Sequence, residues 1–590
     1  MAFIVKKQIN GKEYYYLRES RRVFEKGKWK VKAVTLEYIG KDKKRAEEKA
    51  FQMNWLGKAG DKTIDEAVER KSKDLKSSEI KQENMAEKAK KQEKTEKNEK
   101  SKISVDELAN FCKREGFVFR SSDIYGGFSG FWDFGPLGVE LFNNIKKSWW
   151  NYFVHSKNNM IGMEASIISH PKTWVASGHV ASFSDMAVTC KKCGFSTKID
   201  KSEVGKVKCE KCNGEYDVKG EFNLMFKTRV GALDALDAYL RGETAQGMFM
   251  DFKLVQQTSR KGLPFGIAQI GRCFRNEIAP RDFLFRSREF HIGEFEFFIN
   301  PEEKKCELLE KKHLDLKLKL LDAETQSAGK EDLKETTIGK MLSEKRLEEW
   351  HAYWLAEQIL WFKSIGLEEI KVREHKKDEL SHYSSATFDM DYDYSFGSRE
   401  IAGIANRGQY DLGQHSKFSG EKFEIFDEKY KNKVVPKVIE PTFGMERVFL
   451  AILTKAYNFD EKRENVVLKI PASLAPVKAS VFPIIKKEEY EKIALEILRD
   501  LRKEWNIAYD VSGSIGRRYS RNDEIGTPMC ITIDEDTPKD KSVTIRDRDT
   551  TKQIRVKISE LREVVRKVVE GENLLKLGKL VETRVLADKN

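Results

Sequence analysis

The alternation of apolar and charged positions is densest over residues 265–298, where it predicts two β-strands joined by a connection. In a strand every second side chain lies on the same face. The first run, residues 265–277, would align Gly271, Cys273, Arg275 and Glu277. The second would align Arg286, Arg288, Phe290, Ile292, Glu294 and Glu296. The pattern fits two structures. One is a solvated edge hairpin with salt bridges. The other is the base of a binding site, in which arginines bind an anion and glutamates bind an ammonium group.

Other periodicities divide the rest of the chain. Apolar residues at helical spacing predict a helix with one packing face, formed by Leu137, Leu141, Ile145, Trp149 and Phe153. From about residue 477, strand and helix patterns alternate and predict a compact α/β domain. Residues 1–60 suggest a small β-rich unit, in which EYYYL and KAVTLEYIG are strands and residues 44–56 form a short helix.

Charge is concentrated at the N-terminal end. Of the net +13 of the 590 residues, residues 1–100 contribute 28 Lys+Arg against 18 Asp+Glu, or +10. Such a segment suggests a polyanionic partner, for which nucleic acid is the first candidate. Residues 71–102 have almost no apolar side chain to bury, so we expect either a solvated single helix or a disordered tether. No apolar run is long enough to span a bilayer, which predicts a cytoplasmic protein.

Four of the eight cysteines form two closely spaced pairs. The segment CKKCGFSTKIDKSEVGKVKCEKC contains Cys190, Cys193, Cys209 and Cys212 in the arrangement C-x2-C…C-x2-C. This spacing is typical of four thiolates that surround one zinc ion. Because four thiolates leave no open coordination position, the predicted metal is structural.

Several segments together resemble one enzyme family. FRNEIAPR…FRSREF is similar to motif 2 of the class II aminoacyl-tRNA synthetases, and EPTFGMERVFLAIL (440–453) is similar to motif 3. The Leu137 helix, with the strand ending at Pro171, is similar to the motif 1 dimer element. RGETAQGMF, SGHVASFSD and REIAGIANRGQYDLGQH narrow the resemblance to the dimeric glycyl-tRNA synthetases found in archaea, in eukaryotes and in some bacteria.

The resemblance implies an α+β protein in which an antiparallel class II catalytic sheet is flanked by helices. Charge and composition mark a basic N-terminal extension (1–70) and a charged linker (71–102). The resemblance, which covers about residues 105–571, implies a catalytic domain (103–470) and a C-terminal α/β anticodon-binding domain (471–590). The catalytic domain would include a zinc knuckle at 188–214 and a helical insertion at about 301–380.

The resemblance also implies activation of glycine with ATP and Mg²⁺, followed by transfer of glycine to its tRNA by a homodimer. Arg275 and Arg447 would be the catalytic arginines, because charge develops on the phosphates as pyrophosphate leaves. In this assignment Arg275 binds the α-phosphate and the carboxylate, and Arg447 lies near the γ-phosphate. The implied ATP-binding set is Arg275, Glu277, Arg286, Phe290, Glu400, Ile401 and Arg447.

Within that set, Glu277 would bind the adenine edge and Arg286 the outer phosphates, while Phe290 and Arg447 would enclose the adenine. Glu400 would bind Mg²⁺ or the ribose region. The implied glycine pocket contains Glu243, Glu294, Glu440 and Thr442.

Three positions depart from the family pattern: Gly242 replaces a usual proline, Thr442 a usual serine, and Ser398 a frequent aromatic residue. The first would loosen a turn and the second adds a methyl group near a tight pocket.

In the C-terminal domain, GSIGRRYSRNDEIGTPMCITID offers Arg517, Arg518 and Arg521 as contacts to tRNA, with a solvated basic turn as the alternative. Two other functions remain open on the sequence. One is a non-catalytic paralogue that acts as an RNA-binding or accessory subunit. The other is a nonspecific nucleic-acid-binding protein whose main element is the N-terminal unit.

Overall fold

The computed structural model describes residues 2–9, 12–25, 28–40, 103–199, 204–380 and 384–581. The chain divides into two compact units, Met1–Ser101 and Lys102–Asn590. In the first unit, the described residues form an antiparallel sheet of three strands, Ala2–Ile9, Lys12–Glu25 and Lys28–Gly40. Both predicted strands are confirmed. The helix predicted over residues 44–56 and the linker predicted over 71–102 lie outside the described residues.

A nine-stranded sheet is the centre of the second unit. All neighbouring strands are antiparallel except at two places, where Met160–Gly162 pairs with Phe265–Phe274 and Lys317–Leu321 pairs with Lys371–Glu374. The expected antiparallel core is therefore confirmed. The strands in spatial order are Lys334–Thr337, Lys317–Leu321, Lys371–Glu374, Ala386–Tyr394, Gly397–Gly408, Lys437–Gly444, Glu289–Ile299, Phe265–Phe274 and Met160–Gly162.

The two predicted runs form a hairpin of paired strands, Phe265–Phe274 and Glu289–Ile299, but both strands are shorter than the sequence suggested. The connection contains Pro280, and the positive φ angles of Asp282 and Phe283 (58° and 56°) interrupt the extended backbone. The predicted strand faces therefore do not reach the four charged residues nearest the connection. Arg275, Glu277, Arg286 and Arg288 all lie in it.

Alternation within Glu289–Ile299 gives the central sheet two different faces. Phe295 and Phe297 pack against the helix Glu349–Ser364, with their ring centroids 4.7 and 4.9 Å from that of Trp354. Glu294 and Glu296 lie on the opposite face, as the period of two requires. One face is thus an aromatic core and the other is a buried polar surface.

The predicted Leu137 helix spans Pro136–Trp150 and continues as a π-helical turn, Asn151–His155. Leu141, Ile145, Trp149 and Phe153 are fully buried, and they pack against the catalytic core of the same chain. The remaining helices around the sheet are Val105–Glu115, Pro171–Ala176, His179–Ser182, Ala245–Met250, Phe252–Ser259, Tyr410–Ser419 and Met445–Ala456, with short 3-10 turns at Asp123–Tyr125 and Phe283–Phe285.

The prediction of a helical insertion at about 301–380 is corrected, because this segment also contains β-strands. Its strands Lys317–Leu321, Lys334–Thr337 and Lys371–Glu374 extend the central sheet. In Lys317–Leu321 the exposed lysines alternate with buried leucines, which is a strand pattern too short to stand out among helical segments. The helices of the insertion are Lys311–Leu314, Ala323–Ser327, Ile338–Ser343 and Glu349–Ser364.

Small sheets complete the catalytic region. Strands Ser184–Cys190, Ser196–Ile199 and Tyr216–Asn223 support the cysteine pairs, and Ile168–Ser169 joins Lys227–Val230 and Leu236–Leu240. Three pairs of short strands are Val118–Arg120 with Trp132–Phe134, Ile425–Asp427 with Asn432–Val434, and Phe459–Asp460 with Asn465–Val466.

The C-terminal region is a six-stranded sheet with helices, which confirms the predicted α/β architecture. Its strands in spatial order are Ile507–Tyr509, Ala479–Pro483, Met529–Ile533, Ser542–Asp547, Gln553–Lys557 and Lys579–Val581. Its helices are Glu488–Leu501, Ile515–Glu524, Thr537–Asp540 and Leu561–Val569, with 3-10 turns at Ile558–Glu560 and Leu574–Lys576. No helix within the described ranges is long and apolar enough to cross a membrane.

The buried imidazole of His351 predicts acid sensitivity of the catalytic core. This residue lies on Glu349–Ser364, and burial lowers its pKa from 6.5 to about 4. The unfolded chain therefore takes up a proton that the folded chain excludes as pH falls from 6.5 towards 4, and stability is lost across this range. We expect the stability difference between wild type and His351→Leu to change by about 2 kcal/mol between pH 7 and pH 5.

Urea unfolding followed by tryptophan fluorescence measures this difference, since Trp350, Trp354 and Trp361 lie on the same helix. Comparing the two proteins at both pH values cancels the titration of all other groups. The same difference at both pH values would show that His351 titrates normally.

Candidate active site

A cavity of about 440 Å³ opens beside the hairpin connection and the start of the helix Met445–Ala456. Arginines, carboxylates and aromatic rings line it together. Of the residues predicted to bind ATP or glycine, the cavity brings together Arg275, Glu277, Arg286, Phe290, Glu400, Thr442 and Arg447. These residues come from three separate stretches of the chain, 275–290, 400 and 442–447, so their convergence depends on the sheet order.

Arg275 lies between two aromatic rings. Its guanidinium carbon is 5.2 Å from the ring centre of Phe183 and 5.3 Å from that of Phe290, and its Nε donates to the carbonyl of Gly242 at 3.1 Å. Cation–π contacts and one fixed hydrogen bond restrict the orientation of the side chain. A planar cation is therefore presented to the cavity with little freedom to move.

Glu277 and Arg286, which were predicted to contact different parts of ATP, form an ion pair with each other. Arg286 Nε donates to Glu277 Oε2 at 2.8 Å. The Glu277 carbonyl accepts from Arg288 Nε and Nη2 at 3.0 and 2.8 Å. Arg288 thus acts on the backbone of the connection and holds Glu277 at the cavity wall.

Arg447 and Glu400 form a second ion pair at the cavity, with Nη1 3.2 Å from Oε2. The Arg447 guanidinium stacks over Phe285 at 4.5 Å, whereas Phe290 contacts Arg275. Glu400 is about half exposed, and its neighbour Ile401 is fully buried. Any contact of Ile401 with a nucleotide would therefore be made by its backbone.

A cluster of buried carboxylates lies next to this cavity, and Thr442 belongs to both. The Thr442 hydroxyl lines the cavity and donates to Glu294 Oε1 at 2.9 Å. The other oxygen of Glu294 accepts from the backbone N–H of Thr244 at 3.2 Å and from its hydroxyl. Three donors thus orient Glu294, which is almost fully buried.

Arg407 is the central cation of the carboxylate cluster. It donates from Nη1 to both oxygens of Glu440 at 2.9 and 3.0 Å, and from Nε and Nη2 to Asp411 at 2.8 Å. Glu243 lies 3.1 Å from His179 Nε2 and accepts from Gln246 at 2.9 Å. Burial alone would raise the pKa of Glu243, but the charges of His179 and Arg407 hold it below its ordinary value.

Glu296 differs from the other members of the cluster. It is fully buried, and among the described residues neither of its oxygens has a hydrogen-bond partner. Burial and the nearby charge of Glu440 raise its pKa well above the ordinary value. An uncharged Glu296 avoids the cost of burying an unpaired carboxylate.

The three departures from the family pattern all lie near these residues. The Gly242 carbonyl accepts from Arg275, and a Cβ there would lie 3.2 Å from Phe183 and 3.3 Å from Met225. Thr442 makes the hydrogen bond to Glu294 that a serine could also make. The Ser398 hydroxyl is buried and has no hydrogen-bond partner among the described residues.

The four predicted zinc ligands converge, with sulfur atoms all within 4.8 Å of one another. Cys190 Sγ lies 3.4 Å from Cys212 Sγ, and Cys193 Sγ lies 3.7 Å from Cys209 Sγ. Four sulfurs at Zn–S distances of about 2.3 Å in a tetrahedron are about 3.8 Å apart. The donor set therefore fits one zinc ion.

The three C-terminal arginines lie on the helix Ile515–Glu524 but have different surroundings. Arg518 is buried and donates to the carbonyls of Pro483 and Gly513 at 2.7 and 3.2 Å. Arg517 is exposed, and Arg521 is partly exposed and paired with Asp510. Two of the three predicted tRNA contacts are thus accessible, whereas Arg518 stabilises the turn before the helix.

Several site residues were missed by sequence reasoning, although their segments had been singled out. Arg407 and Asp411 lie in REIAGIANRGQYDLGQH, and His179 lies in SGHVASFSD. Arg407 and Asp411 are only four residues apart, but one ends a strand and the other begins the following helix, so helical spacing could not predict their contact. The link from Arg407 to Glu440 crosses between neighbouring strands and has no local signal.

Comparison with known proteins agrees with this geometry. An "Anticodon binding domain" family model matches residues 478–568. A glycine--tRNA ligase of Caldanaerobacter subterraneus subsp. tengcongensis is 42% identical, over 78% of this chain and 97% of its own. The ligases of Bacillus thuringiensis subsp. konkukian and Borreliella burgdorferi are 40% and 39% identical, over 79% and 78% of this chain and 99% and 96% of their own.

Among solved structures, a prolyl-tRNA synthetase from Cryptosporidium parvum, complexed with halofuginone and AMPPNP, aligns with a TM-score of 0.49. The two chains are 16% identical, and the alignment covers 77% of that chain and 79% of this one.

The relatives are matched over almost their whole length and at about 40% identity. This match confirms the resemblance. The chain belongs to the glycine--tRNA ligases, a family of class II aminoacyl-tRNA synthetases, and its activity is the ATP-dependent ligation of glycine to tRNA.

Proposed function

We propose that the cavity binds ATP, that the carboxylate cluster binds glycine, and that the two substrates meet beside Thr442. Glycine, ATP and tRNA are the substrates of a glycine--tRNA ligase, and aminoacyl-tRNA synthetases use ATP and Mg²⁺. The observation that supports this proposal best is the hydrogen bond from Thr442 to Glu294, because it joins the arginine-lined cavity to the buried carboxylates.

In this proposal the glycine carboxylate attacks the α-phosphorus of ATP. A new C–O–P linkage forms as the bond to pyrophosphate breaks. Arg275 binds the glycine carboxylate and the α-phosphate, where negative charge concentrates during the step. Because the attacking carboxylate is already ionised, the step needs no general base.

ATP would replace the two ion pairs at the cavity. Arg286 would leave Glu277 for the outer phosphates, and Glu277 would then accept from the adenine edge. Arg447 would leave Glu400 for the γ-phosphate. Phe290 and Arg447 would flank the adenine, and the backbone of Ile401 would line the same side.

Glu400 is the residue that would bind Mg²⁺ with the nucleotide. Its carboxylate is about half exposed and lies at the cavity, and carboxylate oxygens suit this ion. When bound, Mg²⁺ neutralises charge on the phosphate oxygens. The protein's part is to present one carboxylate once Arg447 has turned to the phosphates.

Glycine would bind with its ammonium group among Glu243, Glu294 and Glu440. Thr442 and Thr244 orient Glu294, and Arg407 orients Glu440. The raised pKa of Glu296 favours its uncharged form, which would limit the negative charge near the ammonium group. Close packing around the α-carbon would exclude larger side chains, so this account requires no editing domain.

Substitution Glu294→Gln tests this glycine pocket. Glu294 accepts three hydrogen bonds, and the substitution removes its negative charge. The KM for glycine should therefore rise about 10- to 100-fold, while the KM for ATP stays within about twofold of wild type. Glycine-dependent ATP–pyrophosphate exchange measures both constants. Glu289→Gln is the matched control on the same strand and should change neither. Equal increases in both KM values would contradict a separate glycine pocket.

We also propose that Cys190, Cys193, Cys209 and Cys212 hold one structural zinc ion that positions the hairpin connection. Glu210, beside Cys209, pairs with Arg281 of the connection at 2.8 Å. Lys198, in the same small sheet, lines the cavity. The cysteine module therefore contacts the cavity wall although it contributes no predicted reactive group.

Removal of zinc is expected to weaken ATP binding while leaving the catalytic sheet folded. We expect one zinc per chain in the wild type and none in Cys209→Ser, whose KM for ATP rises at least about fivefold. Elemental analysis and pyrophosphate exchange measure the two quantities. Cys306→Ser, outside the cluster, should keep its zinc. A zinc-free wild type with full activity would contradict the proposal.

For the whole molecule we propose a homodimer that works in the cytoplasm. The helix Pro136–Trp150 and the short strand Ile168–Ser169, just before Pro171, correspond to the predicted motif 1 dimer element. Sedimentation should give about twice the 68.3 kDa of the chain. A monomer with full activity would contradict this arrangement.

Residues 103–470 would form the catalytic domain and residues 471–590 the anticodon-binding domain. Arg517 and Arg521 are the proposed tRNA contacts of the latter. Substitution of each by alanine should raise the KM for tRNA without changing pyrophosphate exchange. An unchanged KM for tRNA in both variants would contradict the assignment.

A further inference from the structure

The N-terminal sheet lies in a part of the chain that the relatives lack. They are matched over 96–99% of their own length but over only 78–79% of this chain. Because the anticodon-binding match already reaches residue 568 of 590, the unmatched fifth lies mainly at the N-terminal end. Activation of glycine and ligation to tRNA therefore do not require the sheet, and it needs an explanation of its own.

The sheet holds a large share of the positive charge of the protein. Residues 1–40 contain 10 Lys+Arg against 4 Asp+Glu, a net +6 of the total +13. The like charges on so small a sheet repel one another, and the sheet attracts polyanions. The net charge alone does not identify the surface that would bind a polyanion, whereas the strand pairing does.

Strand pairing collects cationic positions on one face near the turn between Lys12–Glu25 and Lys28–Gly40. Arg21 is directly opposite Lys32, Val23 is opposite Lys30, and Glu25 is opposite Lys28. Directly opposed residues share a face, and so do alternate residues along a strand. We call this face the basic face: near the turn it holds Arg21, Lys28, Lys30 and Lys32 and one carboxylate, Glu25.

Two features of the basic face indicate that it serves a ligand. Arg21 and Lys32 form a like-charge cross-strand pair, which destabilises a sheet unless an anion offsets it. Its lysines at positions 28, 30 and 32 span about 13 Å along one strand, enough to follow several phosphates. The opposite face at this end pairs Phe24 with Trp29 and Arg22 with Val31, so it carries only one cation.

We infer that the basic face binds the phosphate backbone of the tRNA that the enzyme aminoacylates. The inference rests on tRNA being the substrate of this family. A phosphate-binding surface on the same chain as the active site raises the effective concentration of tRNA there. The surface contributes affinity without sequence recognition, because phosphate contacts position a nucleic acid and base contacts specify it.

The test compares full-length proteins. One carries Lys28→Glu, Lys30→Glu and Lys32→Glu, and a milder one carries glutamine at the same three positions. A control with the same change in net charge carries the exposed-site changes Lys319→Glu, Lys330→Glu and Lys345→Glu. The readouts are the KM for tRNA in aminoacylation, the salt dependence of tRNA binding, and pyrophosphate exchange without tRNA.

We expect the glutamate variant to raise the KM for tRNA about tenfold, the glutamine variant to raise it less, and the control to leave it unchanged. The log–log salt slope should become shallower by about two in the glutamate variant, because about three phosphate contacts are lost. Pyrophosphate exchange should stay at the wild-type value in all proteins, which separates this result from any failure of the active-site proposal.

An unchanged KM for tRNA and an unchanged salt slope in both basic-face variants would overturn the inference. So would a loss of binding to a duplex DNA probe with tRNA binding intact, since the surface would then serve DNA. Equal losses in the control and in the glutamate variant would overturn it as well, because they would reflect net charge and not this face.

Discussion

Replacing Arg275 with alanine is expected to lower glycine-dependent pyrophosphate exchange about 1000-fold, with the fold intact. The guanidinium lies between Phe183 and Phe290, tied by Nε to the Gly242 carbonyl, so no other described cation can replace it at that place. Arg275→Lys keeps the charge but loses the planar fork, and we expect a loss of about 100-fold. Steady-state exchange assays measure both effects.

Arg272→Ala is the matched control for this prediction. Arg272 lies on the adjacent strand Phe265–Phe274, is more than half exposed and pairs with Glu289. Arg272→Ala should change the rate of pyrophosphate exchange less than twofold. Its melting temperature should be close to that of Arg275→Ala. Near-normal exchange in Arg275→Ala would remove this residue from the active site.

Replacing Arg407 with methionine should cost about 3–5 kcal/mol of stability and should abolish glycine activation. Arg407 is almost fully buried and binds Glu440 and Asp411 in two forks. Without it, two carboxylates in the protein interior lose their cation, and Glu440 is no longer oriented towards the proposed ammonium site. Thermal and urea unfolding measure the first effect, and pyrophosphate exchange measures the second.

Two further variants give this prediction its control and its rescue. Arg399→Met, on the exposed part of the same strand, should change stability by less than about 0.5 kcal/mol. Adding Asp411→Asn to Arg407→Met should recover part of the stability, because it removes one uncompensated charge. Wild-type stability in Arg407→Met would mean that the carboxylates are not charged in the folded protein.

The glutamate pair of the hairpin could be predicted because strand alternation is a local property. Glu294 and Glu296 share one face as expected. The ends of the strands could not be predicted in the same way, since they depend on Pro280 and on left-handed backbone at Asp282 and Phe283. This is why Arg275, Glu277, Arg286 and Arg288, expected in strands, instead lie in the connection.

Contacts between distant parts of the chain were the main omission. Arg407 ends the strand Gly397–Gly408 and meets Glu440 on the neighbouring strand, a relation that only the sheet order provides. The family resemblance supplied Glu440 and not Arg407. In the same way, the strands of the insertion become visible only when they pair with the edge of the central sheet.

The roles of the three arginines in the C-terminal domain could be distinguished only from their positions around the helix. Arg517 and Arg521 are four residues apart and lie on one side of the helix Ile515–Glu524, whereas Arg518 and Asn522 lie on the buried side. The sequence had treated the three arginines alike. The helical period separates a buried structural arginine from two that are exposed to solvent.

ATP–pyrophosphate exchange with each of the twenty amino acids, supplied singly without tRNA, tests most directly whether this site activates glycine. The account predicts exchange with glycine alone, at a rate that falls about 1000-fold in Arg275→Ala. Exchange with a different amino acid would contradict the assignment of the carboxylate pocket. Exchange with none would contradict activation chemistry at this site altogether.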